Sequence, residues 1–229
     1  RLLAPALWKL GVTRIDYLVL SHPHPDHVQG LRYIAANFPV GEYWEGAGPV
    51  GSADHLELLR ILFRRQVPVR KLDAASPAIS VGGAAIEPLS PPPGRTPSPP
   101  EEESDLNDDS LVFRLVYGDF RMLFTGDIGV ATEERLLLRP ERLKCSVLKV
   151  PHHGSRFSSS LPFLTATAPG TALIAAGYRN SFHLPARETL DRLAGLRIPV
   201  YRTDVDGTVR IITDGRRESL SIEKHPGAF

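Results

Sequence analysis

Ser21-His22-Pro23-His24-Pro25-Asp26-His27 packs three imidazoles and one carboxylate into six positions, directly after the apolar run Ile15-Asp16-Tyr17-Leu18-Val19-Leu20. Neutral imidazole nitrogens and carboxylate oxygens are ligands that Zn, Mn and Fe accept. A stiff strand ending in such a turn can aim all four side chains into one cavity. Pro23 and Pro25 fix φ and lack an N–H, which predicts a ligand loop of irregular shape. The alternative is a polar surface turn that happens to be rich in histidine. The chain holds only eight histidines, so three within this stretch favour metal binding.

Outward from this motif, 229 residues suffice for one large domain or two small ones, and 42% hydrophobic content supports a sizeable core. No apolar stretch is long enough to span a bilayer and no secretory signal opens the chain, so a soluble globular piece is expected. That expectation leaves room for its being one domain of a longer membrane protein. A net charge of +1 neither demands nor forbids a polyanionic partner. The single cysteine, Cys145, rules out an intrachain disulfide and a thiolate cluster, and its apolar neighbours place it in a buried strand.

The pattern predicts a short helix over Leu2–Leu10, the strand Ile15–Leu20, and a helix over Val28–Phe38 with Leu31, Ile34, Ala35 and Phe38 on one face. A short strand at Glu42–Glu45 precedes a helix from His55 to Arg65 that turns Leu58, Leu59, Leu62 and Phe63 inward. Val67–Leu72 is a further strand, and Ile79–Leu89 a strand pair hinged at Gly82-Gly83. Ser90 to Ser104, dominated by proline, cannot form a packed core and predicts an extended loop. Beyond it lies a hairpin, Leu111–Tyr117 and Phe120–Thr125, joined by Gly118-Asp119. There follow a helix over Val130–Leu138, the strand Cys145–Val150, a helix near Ser159–Ala168, the strand Thr171–Ala176 and the helix Ala186–Leu196. Strands at Val200–Arg202, Thr208–Thr213 and Ser219–Glu223 end the pattern. Two sheets between outer helices is the most economical architecture.

Three other clusters carry candidate chemistry. Thr125-Gly126-Asp127 ends a strand, where Asp is as readily a turn former as a ligand. Pro151-His152-His153-Gly154-Ser155 also follows an apolar strand, and adjacent histidines point differently, so one can ligate while the other meets substrate. Asn180-Ser181-Phe182-His183 lies between a strand and a helix, with a plain loop histidine as the alternative. Arg60, Arg64, Arg65, Arg70 and Lys71 could track phosphates, although a solvated helix face is the stronger reading. Aromatic content of 7% does not indicate base stacking along a groove.

Together these residues resemble the metallo-β-lactamase superfamily, whose first motif, His-x-His-x-Asp-His, is matched at His22, His24, Asp26 and His27. With Asn107-Asp108-Asp109-Ser110-Leu111-Val112, Leu123-Phe124-Thr125-Gly126-Asp127-Ile128 and Val150-Pro151-His152-His153-Gly154-Ser155, the chain is similar to the C-terminal domain of the ComEC family, membrane channel proteins that import DNA during bacterial competence. Tyr201-Arg202-Thr203-Asp204 and Gly207 fit the same branch. The resemblance implies an α/β fold, a four-layer αββα sandwich formed by residues 1–229 as a single domain, with a Pro-rich loop at about 90–105. Family members usually open with a β-hairpin, which the sequence does not show, so the first strands are expected to be lacking. The superfamily's third-motif histidine is missing too. Asp109 is the candidate to replace it, with a turn entering a strand as the alternative. The family's Gly-His-Pro reads Phe182-His183-Leu184-Pro185 here.

The resemblance further implies two divalent metal ions, Mn or Zn. His22 and His24 hold one; Asp26, His27 and one of His152 or His153 hold the other, and Asp127 bridges them. The ligand position is given to His152, and Asp109 completes the first ion. Asp26, His153 and His183 are the candidate catalytic residues, with Ser155, Arg156 and Asn180 binding substrate. The implied activity is hydrolysis of DNA, single-stranded or duplex, by an extracytoplasmic domain of a bacterial membrane protein whose remaining channel portion is its partner. The strand cut would be the one not transported. A phosphoesterase for small or cell-wall substrates such as phosphorylcholine esters is the enzymatic alternative. A non-catalytic domain that binds DNA or a partner is the other.

Overall fold

In the computed structural model, residues 3–46, 52–94 and 103–223 are described, and they form two compact units. The first contains the described residues of 1–75 and 90–111; the second, those of 76–89 and from 112 onward.

The first unit is built on βαβ logic. Helix α1 (Leu3–Lys9) precedes β1 (Ile15–Leu20), α2 (Pro25–Asn37), β2 (Val40–Gly46), α3 (Ala53–Arg64) and β3 (Val69–Leu72). The strands form one parallel sheet in the order β1-β2-β3, with Ile15 opposite Val40 and Tyr43 opposite Val69. Its core gathers Leu18 and Leu20 from β1, Val28, Ile34 and Ala35 from α2, Tyr43 from β2 and Leu58 and Leu62 from α3, with Phe38 beyond the end of α2. Ser52 caps α3, its Oγ accepting from the His55 N–H at 3.4 Å. Phe63, expected inward, is 83% exposed, and His55 takes a buried place on the helix instead. Helix period alone cannot separate those two positions, because both border the apolar stripe.

Helix α2 begins three residues earlier than its apolar pattern, at Pro25. Proline is pre-organised for the first helical position because its φ is already helical and its missing N–H has no partner to lose there. The expected irregular loop therefore ends at His24, and Asp26 and His27 stand on the first helical turn. A short helix, α4 (Glu103–Asp108), follows the Pro-rich stretch. The extended loop expected up to Ser104 thus stops short of that residue, while 95–102 lie outside the described residues.

The second unit holds β4 (Ile79–Val81), β5 (Ala84–Ser90, all but its last residue), β6 (Val112–Tyr117), β7 (Phe120–Phe124), α5 (Val130–Leu136), β8 (Val147–Lys149), α6 (Leu161–Thr167), β9 (Thr171–Ile174), α7 (Arg187–Gly195), β10 (Val200–Arg202), α8 (Thr203–Asp206), β11 (Thr208–Thr213) and β12 (Glu218–Glu223). Seven strands form a mixed sheet in the order β10-β9-β8-β7-β6-β5-β4, and β11 pairs with β12 separately. Strands β7 through β10 run parallel to their neighbours, whereas β6 and β7 make the antiparallel hairpin. Val112, Leu123, Leu148, Phe163, Leu164, Ala172, Ile174 and Leu193 are central to its core. Cys145 is buried and unbridged, as expected, but it lies outside the strand predicted from it, since β8 begins at Val147; burial pushes its thiol up to about 12.

The described residues thus form three sheets rather than two, since β11 and β12 stand apart as a pair of their own. Among the described residues, no helix is long and apolar enough to cross a membrane.

Candidate metal centre

The chemistry-bearing residues of each unit sit where parallel strands end. In the first unit β1 delivers Ser21 and His22, and the chain then turns into α2 through His24, whose backbone is extended (φ −72°, ψ 151°). His22 is buried; its ring centroid lies 4.8 Å from that of His24 and 4.2 Å from that of His27. The carboxylate of Asp26 approaches His27 Nε2 at 3.6 Å. Three imidazoles and a carboxylate therefore do converge.

Their orientation has a cause. Ser21 Oγ lies 3.1 Å from His22 Nδ1 and 3.3 Å from His27 Nδ1. With protons on both Nδ1 atoms, the two rings donate to one hydroxyl oxygen, and each Nε2 keeps its lone pair for a ligand. Metal-binding histidines are generally held in this way through the nitrogen that does not ligate. His24 Nε2 is buried and has no hydrogen-bond partner among the described residues, a costly state for a polar atom that a metal ion would relieve. The donor set is imidazole and carboxylate without thiolate, which suits Zn, Mn or Fe. These residues fit a divalent ion.

Asp109 is buried and shares with His22 a small pocket also lined by Leu20, Glu45, Gly46 and His55. Gly46 belongs there for steric reasons, because a Cβ at that position would come within 3.1 Å of the Asp109 carbonyl oxygen. Beneath His22 runs a network that sequence reasoning missed. Glu45 Oε2 lies 2.7 Å from His55 Nε2 and accepts from the Tyr43 hydroxyl at 3.0 Å, while Lys71 Nζ stands 3.6 Å from Oε1. Burial alone would raise the Glu45 pKa, but the His55 hydrogen bond and the charges of His55 and Lys71 outweigh it and hold the carboxyl below its ordinary range. Burial, with Glu45 beside it, pushes the Tyr43 hydroxyl far up. The only signal in the sequence was a glutamate inside the apolar strand Tyr43-Trp44-Glu45.

In the second unit β7 ends in Thr125-Gly126-Asp127 and the parallel neighbour β8 ends in Val150-Pro151-His152-His153. Thr125 Oγ1 donates to the Lys149 carbonyl at 2.6 Å and the His152 N–H to the Gly126 carbonyl at 3.2 Å, tying the two strand ends together. Asp127 is buried, and its Oδ2 lies 3.2 Å from His153 Nε2. His153 Nδ1 donates to the carbonyl of Ala175, just past β9, at 2.7 Å. The same logic recurs: a backbone acceptor fixes the proton on Nδ1 and leaves Nε2 beside the carboxylate. The structure thus brings His153, rather than His152, against Asp127.

His152 (φ 48°) and His153 (φ 52°) both adopt the left-handed conformation, followed by Gly154 (φ 83°). For non-glycine residues this costs roughly 1–2 kcal/mol each, and such strain concentrates at functional sites. Lys149, another residue sequence reasoning passed over, donates to the Val150 carbonyl at 3.0 Å. Burial pulls its ammonium below the ordinary range, against the opposing charge of Asp127. A lone lysine in Val147-Leu148-Lys149-Val150 was the available signal.

The expected substrate residues divide. Asn180 Nδ2 donates to the carbonyls of Gly177 (3.0 Å) and Leu184 (2.7 Å), and Oδ1 accepts from the Leu184 N–H, so its side chain builds the loop. Ser155 is buried, and its Oγ accepts from the Phe157 N–H at 3.3 Å. Arg156 and His183, by contrast, are exposed on neighbouring loops. The basic cluster of the first unit is spent internally. Arg60 and Arg64 reach Glu57, Arg65 donates to the Ala36 and Phe38 carbonyls, Arg70 reaches Glu42, and Lys71 reaches Glu45.

Strand-end histidines and aspartates on an α/β scaffold define a class, and the chain belongs to the metallo-β-lactamase superfamily, whose family model matches residues 1–178. Within it the chain is similar to ComE operon protein 3 of Bacillus subtilis (strain 168), 27% identical over 97% of this chain and 28% of that protein. It is similar also to Competence protein ComA of Neisseria gonorrhoeae, 31% identical over 91% of this chain and 27% of that protein. The chain therefore spans less than a third of the length of these relatives. Among solved structures, Igni18, a metallo hydrolase from the archaeon Ignicoccus hospitalis, superposes with a TM-score of 0.52 at 14% identity, covering 91% of this chain and 80% of that one. The CmlA β-hydroxylase E377D mutant gives a TM-score of 0.52 at 16% identity over 83% of this chain and 43% of that one. Both show the metallo-β-lactamase fold.

Proposed function

We propose that this chain, as one metallo-β-lactamase-like domain, is a divalent-metal-dependent phosphodiesterase that hydrolyses DNA during uptake, acting on the strand that is not imported. The observation that carries the reading is the shared arrangement of its imidazoles: His22, His27 and His153 are each held through Nδ1, and in His27 and His153 Nε2 stands beside a carboxylate. The competence relatives support a role in competence, and DNA as substrate, with an extracytoplasmic place beside a membrane channel, is our reading of the resemblance to the ComEC family. In this scheme His22 and His24, with Asp109, hold one ion; Asp26, His27 and His153 hold a second; Asp127 serves both. Mn or Zn suits the donor set. When bound, such ions would lower the pKa of a bound water from ~16 towards ~7 and polarise a phosphoryl oxygen.

The chain's own residues do the rest. Ser21 and the Ala175 carbonyl keep the ligand rings in one tautomer and one orientation. Arg156, exposed and only 3.8 Å from the equally solvated Glu188, is available to a phosphate oxygen. His183, exposed on the adjoining loop, is assigned the protonation of a leaving alkoxide in this scheme. Ser155 and Asn180 shape those two loops rather than touch substrate. The test is digestion of single-stranded and duplex DNA by the purified protein over Mn²⁺, Zn²⁺ and Mg²⁺. Asp127→Ala and His24→Ala are each expected to abolish cleavage. Cleavage that survives both, or none with any metal, overturns the reading. Turnover of bis(4-nitrophenyl) phosphate without turnover of DNA would point to a small phosphoester instead.

A further inference from the structure

Exposed aromatic side chains in the second unit are confined to one place. Among the described residues they are Phe157 (73% exposed), Tyr178 (52%) and Phe182 (81%). All three lie on the two loops that leave the ends of β8 and β9, the strand ends that hold His153 and its acceptor Ala175. An overall aromatic content of 7% hid this concentration. Apolar rings left exposed on two adjoining loops, joined by the Ala186 N–H to Gly154 carbonyl bond, mark a surface built to be covered.

Arginines are interleaved with them. The guanidinium of Arg156 lies 5.7 Å from the Phe157 ring centroid, and that of Arg179 lies 5.2 Å from the Tyr178 ring. Two of the three rings are thus paired with a cation on the same loop, which complements a polyanion of flat bases better than an aliphatic partner or a neutral groove. The loops are also held firmly. Glu133 accepts from the Ser159 and Ser160 N–H groups, Arg192 donates to the Arg156 and Ser158 carbonyls, and the Ala186 N–H donates to the Gly154 carbonyl. The Asn180 side chain ties its own loop to the Gly177 and Leu184 backbone. Platforms fixed in advance lose little entropy when a ligand lands on them.

We propose that Phe157, Tyr178 and Phe182 form a rim on which the bases of a single DNA strand stack, with Arg156 and Arg179 meeting its phosphates. This rests on the DNA reading above and deepens it, because a duplex keeps its base faces covered whereas a single strand offers them. The pair Arg156–Glu188 is an exposed contact that phosphate can displace at small cost.

The experiment separates binding from hydrolysis. A short oligothymidylate carrying one 2-aminopurine is titrated with the full chain in EDTA, followed by anisotropy and by quenching of the stacked base. Stacking is worth about 1–3 kcal/mol per base, so Phe157→Ala with Phe182→Ala is expected to weaken binding at least ten-fold and to abolish the quench. The double Leu variant, apolar but not aromatic, should behave like the Ala variant, and the double Trp variant should restore binding. Thermal midpoints of all of them should match that of wild type, which shows that each is folded. Binding by the Ala or Leu variant within two-fold of wild type overturns the rim. So does wild-type protein that fails to bind the oligonucleotide, or a loss confined to binding of phosphatidylglycerol vesicles. If wild type binds and quenches but cuts no DNA with any metal, the rim stands and the nuclease reading falls. If it cuts DNA and the variants cut with unchanged KM, only the rim falls.

Discussion

One hydroxyl stands behind two imidazoles in this protein, and the consequences are measurable. Ser21 touches the Nδ1 atoms of both His22 and His27, so Ser21→Ala removes the acceptor that fixes both tautomers without removing any ligand. Loss of such a supporting partner typically lowers metal affinity 10–100-fold. Competition against a fluorescent chelator should show that drop; unchanged affinity would mean that the rings are held by packing alone. Glu45 makes a different kind of prediction. Its carboxyl is held below its ordinary range in the folded state, so its contribution is complete above the unfolded carboxylate value and is lost as pH falls through the folded one. Glu45→Gln is expected to cost about 1.5–3 kcal/mol at pH 7, the scale of hydrogen bonds to a charged group. Urea midpoints of the two proteins should converge only in acid below the ordinary carboxylate range; a gap that stays constant into acid would show that the charge is immaterial.

At the level of elements, turns decide where side chains are delivered. Gly118, with φ +58°, closes the β6–β7 hairpin, and a Cβ there would meet the Gly215 carbonyl oxygen at 2.5 Å. Asp119 N–H already donates to that same carbonyl, so the turn of the β11–β12 hairpin is seated on the turn of the other. Gly118→Ala therefore meets both a left-handed backbone, costing roughly 1–2 kcal/mol, and a backbone contact that cannot yield locally. A drop in thermal midpoint and faster amide exchange across β6, β7, β11 and β12 are expected; wild-type exchange would show that the two turns adjust independently. The helical elements follow a similar rule. Pro25 starts α2 and so converts half of the ligand motif from loop to helix, which fixes Asp26 and His27 one residue apart on its first turn.

Across the whole molecule, candidate ligands come from both compact units: His22, His24, Asp26, His27 and Asp109 from the first, Asp127 and His153 from the second. A ligand that binds only the folded chain stabilises it by about 2.7 kcal/mol at a concentration one hundred times its Kd. Added Mn²⁺ or Zn²⁺ is expected to raise the thermal midpoint of the wild-type chain. A substitution in either unit, His24→Ala or Asp127→Ala, should reduce that rise. An increment that survives the loss of Asp127 would confine metal binding to the first unit.

The ligand motif, the strand that feeds it, the hairpin at Gly118-Asp119 and the order of the segments other than the short helices α4 and α8 were legible in the chain, because period, turn residues and ligand chemistry are local properties. So was the family, since its motif is a run of neighbours. The identity of the histidine facing Asp127 was not legible: His152 and His153 are chemically the same, and two left-handed residues after Pro151 turn one of them to the carboxylate. Nor could the pattern show that Phe63 would be exposed and His55 buried against Glu45, since the partner lies ten residues away on another element. The arginines of α3 and β3 read as free charges until their carboxylate and carbonyl partners were in place. Local chemistry set what each residue could do; which groups it met depended on long-range packing, and only the tertiary structure decided that.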